Sequence, residues 1–474
     1  MAKTTTKPRR RLALVVLAAG KGKRMRSASQ KVLTPVCGKP ALWHVLHTAR
    51  AVRPDRIVIV VGKQSDAVRD AVRAWGVTPE PVFVDQGELL GTGHAVLMAE
   101  KAVGRADDVL VANGDFDPVT PEDLRSLLRT HRRTRSAVSV LTAELDHPVG
   151  YGHVVREGDR LIGIVEHADA TAEQRRIHEV ATNWVVFRRD DLYRALPLVG
   201  RDNRHGEYYL KDVYEILADK GERVTAIEGD TGGAMGLNSR AGLAAVERVI
   251  RSRINDRHLA SGVTMVDPGT TYVDEGVRIG PDTVLRPMTF LEGDTRIGSG
   301  CEIGPNARIV DSRVGNGTTV SFAVVLGSTI GKDASVGPFV RLRPGVKMAD
   351  RTKAGAFVDL KNATIGEDSK VPHLSYVGDA VIGKRVNIGA GNVFANYDGY
   401  EKHTTVVDDD ARTGADTILV APVRIGKGAV TGASSVIRGD VPAGALAVDR
   451  SEQKVVKGYR KRKDSERGAS EKGH

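Results

Sequence analysis

Between residues 279 and 309 an aliphatic side chain returns at every sixth position: Ile279, Leu285, Leu291, Ile297, Ile303 and Ile309. Six unbroken matches to one period rarely arise by chance, and they leave few folds open. A six-residue period matches a parallel β-helix, in which each hexad turns its aliphatic residue inward to stack on the counterpart one coil away. The register slips near 314 and 330. It resumes at Val336, Leu342, Met348, Ala354 and Leu360, then at Val371 and Val377, Ile382 and Ile388, and Thr413, Leu419 and Ile425. Residues 392–407 interrupt it, and a loop expelled from a solenoid is a usual place for function. The composition agrees: 4% aromatic residues against 52 glycines suits thin, regular layers better than ring-filled cores.

The chain of 474 residues is long enough for about three units, or two large ones. From Leu12 to Asn238 short apolar runs (LALVVLAAG, IVIVVG at 57–62, VLVANGD at 109–115, SAVSVL at 136–141) alternate with helical stretches. That pattern predicts βαβ units and a mostly parallel sheet with helices on both faces, whose ligands sit beyond the carboxyl ends of the strands. Leu243, Val246, Ile250 and Ile254 then mark one apolar stripe at helical spacing, with arginines on the other side. The expected organisation is a basic disordered tail at 1–11, an α/β domain at 12–238, a helical linker arm at 239–262, a β-helix at 263–450 and a basic C-terminal tail at 451–474. Five Lys/Arg in the first tail and eight against four acids in the second account for most of the net charge of +11. The body is nearly neutral, which argues against a nucleic-acid-binding face. Cys37 and Cys301 lie far apart with no Cys/His cluster, so neither a disulfide framework nor a zinc site of usual spacing is expected, and a reducing cytoplasm fits. The apolar run after the basic start imitates a signal peptide, but it is short, meets Lys21 to Arg26 at once, and reads better as a first buried strand. No run of about 18 apolar residues predicts a membrane span.

Two strand ends carry polar motifs. Gly20-Lys21-Gly22-Lys23-Arg24-Met25, followed by Lys31, offers backbone N–H groups and cations to a triphosphate. Such a turn is also common as a mere tight turn, and it is neither a Walker loop nor a dinucleotide fingerprint. Gln86 with Leu90-Gly91-Thr92-Gly93-His94-Ala95 adds a second backbone-rich loop, and Gly114-Asp115 ends an apolar strand with a carboxylate suited to Mg²⁺.

In this order LAAGKGxRM, Lys, Gln, LGTGHA, GD, GYG, VEH, GEYY and GLN resemble the sugar-1-phosphate nucleotidyltransferases. Joined to hexad repeats, the chain resembles, from about Leu12 to Arg450, the bacterial bifunctional N-acetylglucosamine-1-phosphate uridylyltransferase / glucosamine-1-phosphate N-acetyltransferase family. The resemblance implies an α/β nucleotidyltransferase (Rossmann-like) domain, a helical arm and a left-handed parallel β-helix of hexapeptide repeats. It implies that Arg24 and Lys31 contact phosphates, that Ala18, Gly20, Lys31, Gln86, Gly91 and Thr92 bind the nucleotide, that Gly152 and Glu166 grip the sugar, and that Asp115 and Asn238 hold Mg²⁺. The nucleophile would be the phosphate oxygen of the sugar, so no protein base is needed, and the protein's work is positioning and charge. Several positions depart from the pattern: Phe116-Asp117-Pro118 within G-D-x-P-L, Lys23 for Thr, Gln30 for Pro, Ala181 for Asn, and Lys211 for Thr. Losing one hydrogen bond to a substrate costs about 1 to 3 kcal/mol, which weakens a site without abolishing it. Asp117 is either an added metal ligand or a solvated turn residue, and the turn is the simpler reading.

The hexad half carries RLRPG (341–345), VDLKN (358–362), VPHLSYVGD (371–379) and NYDG (396–399). A lone His on a solenoid is ordinarily a surface residue. Here Arg343 and Lys361 lie upstream at roughly whole-hexad offsets, so they could converge on an anionic sugar phosphate beside His373. Acetylating an amine needs a base to take a proton as nitrogen attacks the thioester, and imidazole, with an ordinary pKa of about 6.5, suits that. The resemblance assigns this role to His373, places Arg343, Lys361, Tyr376 and Asn387 on the acceptor, and puts Asn396, Tyr397, Ala433 and Arg450 on acetyl-coenzyme A, with Asn396 reaching the acceptor as well. Tyr397 and Lys402, in the expelled loop, complete the pocket, and Ala415 stands where the family commonly has Ser. Family β-helices form homotrimers with acetyl-donor clefts between subunits. The expected function is cytoplasmic synthesis of UDP-N-acetylglucosamine, a cell-wall precursor, from glucosamine 1-phosphate, acetyl-CoA and UTP by way of N-acetylglucosamine 1-phosphate. Two other readings stand beside it: an acetyltransferase whose nucleotidyl domain has decayed or changed its sugar, and a non-enzymatic trimeric scaffold.

Overall fold

The computed structural model describes residues 9–20, 30–63, 65–157, 160–167, 169–203, 206–233, 236–237, 239–449 and 452–470. Two compact units divide the chain, one holding residues 1–257 with 273–275 and the other residues 258–272 with 276–474. The first is built on a twisted sheet in the order Val224–Glu228, Val138–Glu144, Glu179–Arg188, Asp108–Asn113, Leu12–Leu17, Arg56–Val61, Val82–Asp85. Neighbours run parallel except Glu179–Arg188, which is antiparallel to both of its partners. All four apolar runs picked out in the sequence are strands of this sheet. Their near-continuous Val/Ile/Leu content is what a sheet covered on both faces demands, and Val15, Val58, Val60, Val109, Val111, Val185 and Phe187 form its core. The hairpin of Gly152–Glu157 and Arg160–Glu166 extends from Val180, beyond the carboxyl ends of the central strands. Arg9, Arg10 and Arg11, expected in a disordered tail, are held instead: Arg9 pairs with Asp55, Arg10 with the fully buried Asp108, and the Arg11 amide donates to Asp107. The helix expected as a linking arm spans Arg240–Ala260, buries Val246, Ile250 and Ile254, and belongs to the first unit as far as Arg257.

The second unit is the left-handed parallel β-helix. Strands two to seven residues long pair in parallel with strands one coil away, in one ladder of seven and in two interleaved ladders within a seventeen-stranded sheet. The hexad residues face inward: Leu285, Leu291, Ile303, Ile309, Leu342, Leu360, Val371, Val377 and Leu419 are fully buried. Ile279 stacks on Ile297 and Leu285 on Ile303, a coil of 18 residues. The slips have a plain cause. Val314 stacks on Ile330 after 16 residues, because that coil turns its corners with two residues fewer. From Ile382 to Val407 the coil takes 25, and the surplus is the expelled loop, in which Tyr397 bridges to Lys402. Beyond the coils, the stretch read as a basic tail carries a helix, Tyr459–Ser470.

Candidate functional site

In the first unit the nucleotide residues gather beyond the strand Leu12–Leu17. Ala18 is buried at its end, and a Cβ on Gly20 would meet nothing within 4 Å among the described residues. Gln86 is buried and donates from Nε2 to the Gly91 carbonyl at 3.0 Å. Gly91 has φ of 114°, and a Cβ there would sit 2.5 Å from the Tyr208 carbonyl oxygen, so glycine is required. The Thr92 hydroxyl accepts from the Leu210 amide at 3.0 Å, tying this loop to GEYYL. Gly152 and Glu166, the expected sugar residues, are register partners in the hairpin. The departure Lys211 brings its ammonium 3.9 Å from Glu166 Oε1 and donates to the Ile164 carbonyl at 3.4 Å. Beside them His153, fully buried, and His167 pair through their rings at 2.9 Å.

Lys31 and Asp115 form an ion pair through Asp115 Oδ2, while Asp115 Oδ1 is buried with no hydrogen-bond partner among the described residues. A buried carboxylate oxygen left without a donor is costly, and a divalent cation is the kind of group that satisfies it, so Asp115 fits the metal role. Asp117 is not the solvated turn residue expected. Only 2% exposed, it accepts from the backbone and side-chain amides of Asn183 at 2.8 and 2.9 Å. Burial, and after it the carboxylate of Asp115, push its pKa up to about 6. It is buried because Phe116, at φ of 59°, turns its ring into the core against His44 and swings the next residue toward Asn183. Lys23, Arg24 and Asn238 lie outside the described residues.

In the second unit coil register brings the assigned residues into two groups. The first lies along one corner of the prism. Lys370, Asn387, Arg412 and Val430 bridge in succession, so His373, Ala390, Ala415 and Ala433 occupy one row. Hydrogen bonds confirm it: Gly391 N–H donates to His373 O at 3.3 Å, Asp416 N–H to Ala390 O at 2.7 Å, and Ser434 N–H to Ala415 O at 2.8 Å. Three coil steps of about 4.8 Å put Ala433 about 14 Å from His373 along a track bare of long side chains. Asn387 sits apart on the adjoining face, between Lys370 and Arg412. The second group is on the next corner. Arg343 and Lys361 share a row, and Arg343 forms a two-pronged pair with Asp359. A Cβ on Gly378 would lie 2.7 Å from Asn396 Nδ2 and closer still to Tyr376 Oη, so both side chains close over a bare backbone. Asp379 Oδ1 accepts from Asn362 Nδ2 at 2.8 Å; its Oδ2 takes Asn396 Nδ2 and lies 3.5 Å from Lys361 Nζ. Burial opposes ionisation there, but these donors hold the carboxyl below its usual range. Lys402 meets Lys361, whose ammonium pushes Lys402 down. Arg343 and Lys361 therefore share a row, while His373, expected beside them, is six residues from Asp379 across one prism face. Tyr397 is exposed, its hydroxyl on the Gly399 carbonyl. Arg450 lies outside the described residues. Sequence reading missed Ala390, Gly378 and Asp379; the signal for each is its fixed offset of one coil from an assigned residue.

Among known proteins, the MobA-like NTP transferase domain family matches residues 14–192. The Bifunctional protein GlmU of Streptomyces avermitilis is 45% identical over 456 residues, which are 95% of this chain and 94% of that protein. Its namesake in Caldanaerobacter subterraneus subsp. tengcongensis is 43% identical across 94% of this chain and 97% of its own. That of Halalkalibacterium halodurans is 43% identical across 95% and 99%. No helix among the described residues is long and apolar enough to cross a membrane.

Proposed function

The chain belongs to the family of bifunctional GlmU proteins, and from that premise we propose that it makes UDP-N-acetylglucosamine in two steps at two separate sites. In the second unit the amine of glucosamine 1-phosphate attacks the thioester carbonyl of acetyl-CoA, His373 takes the proton, and coenzyme A leaves as the thiol. Arg343, Lys361 and Lys402 neutralise the sugar phosphate, and Tyr376 and Asn396 close over Gly378 to orient the sugar. The row His373, Ala390, Ala415, Ala433 is the observation that carries this reading: a base at one end of a smooth track suits an extended thioester arm. Asn387 and Tyr397 add to the pocket, as does Arg450 on the coenzyme side.

In the first unit a phosphate oxygen of N-acetylglucosamine 1-phosphate attacks the α-phosphorus of UTP, and pyrophosphate leaves. Arg24 and Lys31 hold the phosphates; Ala18, Gly20, Gln86, Gly91 and Thr92 hold the uridine; Gly152 and Glu166 hold the sugar. Asp115 and Asn238 would hold Mg²⁺, which supplies charge neutralisation on the phosphates when bound. The orphaned Asp115 Oδ1 supports that assignment.

Two further features support assembly as a homotrimer. Phe322, Phe339, Phe357 and Leu374 form an exposed ridge one residue over from the His373 row, with ring centroids 5.5 and 5.1 Å apart. On a single chain, moreover, one prism face separates the His373 row from the row of Lys361, and a second copy would complete the site. UTP and acetyl-CoA as co-substrates, with both cysteines free, fit the cytoplasm. The decisive assay pairs two readouts on the full chain: pyrophosphate release from UTP with N-acetylglucosamine 1-phosphate and Mg²⁺, and thiol release from acetyl-CoA with glucosamine 1-phosphate. Absence of the first overturns the bifunctional reading, absence of both leaves the scaffold, and light scattering reports the subunit number.

A further inference from the structure

Asp379 occupies a place that no substrate-binding assignment uses. Asn362, Asp379 and Asn396 stand one above another on successive coils, and the middle carboxylate takes a donor from each neighbour besides the ammonium of Lys361. The corner backbone, at φ of 44° for Asn362 and 49° for Asp379, favours Asn or Asp, but it is served by either and calls for no charge. What an ionised carboxylate adds is one-sidedness, because it can only accept hydrogen bonds. It therefore obliges Asn396 to turn its NH₂ end inward and to present its Oδ1 on the other side. It also anchors Lys361 while Lys402 presses against it.

We infer that Asp379 is the positioning residue of the acetyl-transfer site: it locks the Asn396 amide so that Oδ1 faces the acceptor amine as a hydrogen-bond acceptor, and it fixes Lys361 for the sugar phosphate. An amine that attacks a thioester must keep its remaining N–H bonds directed while its lone pair points at carbon, and an oriented acceptor does that. This inference rests on the placement of the acetyl site proposed above.

The test is a double-mutant cycle on the full chain, read as kcat and KM for thiol release, with uridylyl transfer and the melting temperature as checks on folding. Asp379→Asn should lower kcat roughly 10-fold or more and raise KM for glucosamine 1-phosphate, with KM for acetyl-CoA unchanged. Asn396→Ala should lower kcat similarly, and the double variant should be no worse than the poorer single, because the second change removes what the first has already disordered. Multiplying effects, or an Asp379→Asn variant with full kcat beside an impaired Asn396→Ala, would each overturn the positioning role alone. Full activity in Asn396→Ala would overturn the placement of the site as well.

Discussion

The two units solve the same problem, holding a sugar phosphate beside an activated partner, by opposite means. In the first, the residues in question come from loops beyond strand ends, and their neighbours are set by long-range ties such as Thr92 to Leu210 and Asp117 to Asn183. In the second they sit on a lattice in which offsets of 17, 25 and 18 residues carry one row position to the next. A lattice makes neighbours computable from sequence, while a loop makes them contingent on the whole fold.

The largest effects would separate the units outright. His373→Ala is expected to cost about 10²-fold or more in acetyl transfer and leave uridylyl transfer intact, and Asp115→Ala is expected to do the reverse. If either change abolished both activities in a chain that still folds, the division of labour would fail. Next come the glycines on which each site rests. Gly378→Ala drives a methyl into Tyr376 and Asn396 and should reduce acetyl transfer more than 10-fold by displacing both. Gly91→Ala, strained at positive φ and pressed against the Tyr208 carbonyl, should destabilise the first unit by about 1 to 3 kcal/mol. Trp43, Trp75 and Trp184 all lie in that unit, so tryptophan fluorescence during urea unfolding reads it separately.

A smaller effect is a dependence on pH confined to the first unit. The Asp117 carboxyl, near 3.8 in the unfolded chain, rises to about 6 when folded. The folded state therefore binds its proton more tightly, the stabilisation is complete below about pH 4, and it is lost as pH rises through 6. In chelator, with the metal absent, about 3 kcal/mol should disappear across that window, and Asp117→Asn should flatten the slope. The same fluorescence measured from pH 4 to 7 checks it, and an unchanged slope in the variant sinks the assignment. Smallest of all, Ala415→Ser restores a hydroxyl to the row behind His373 and should raise kcat for acetyl transfer a few-fold, on the order of one modest hydrogen bond; a rate no higher than that of the unaltered chain would count against the track.

What the sequence made legible follows the same divide. The aliphatic hexads announced the β-helix, because an inward position every six residues is a constraint each coil must satisfy by itself. The four apolar runs announced the sheet for a similar reason. Asp117 escaped, because Asp beside Pro looks like a turn until Phe116 is known to claim the core. The hold on Arg10 escaped too, since the buried Asp108 that receives it is 98 residues away. Asp379 escaped for a different reason: its motif was in view, but its importance is relational, set by amides a coil above and a coil below.

The long coil between Ile382 and Val407 has a consequence for how such a protein can change. Its extra residues leave at a corner and return to the same row, so the stack above and below is not shifted. Length at this point is thus decoupled from the architecture. The segment 397–404 could be shortened, grafted or exchanged to admit a different acceptor, with the scaffold indifferent to the swap.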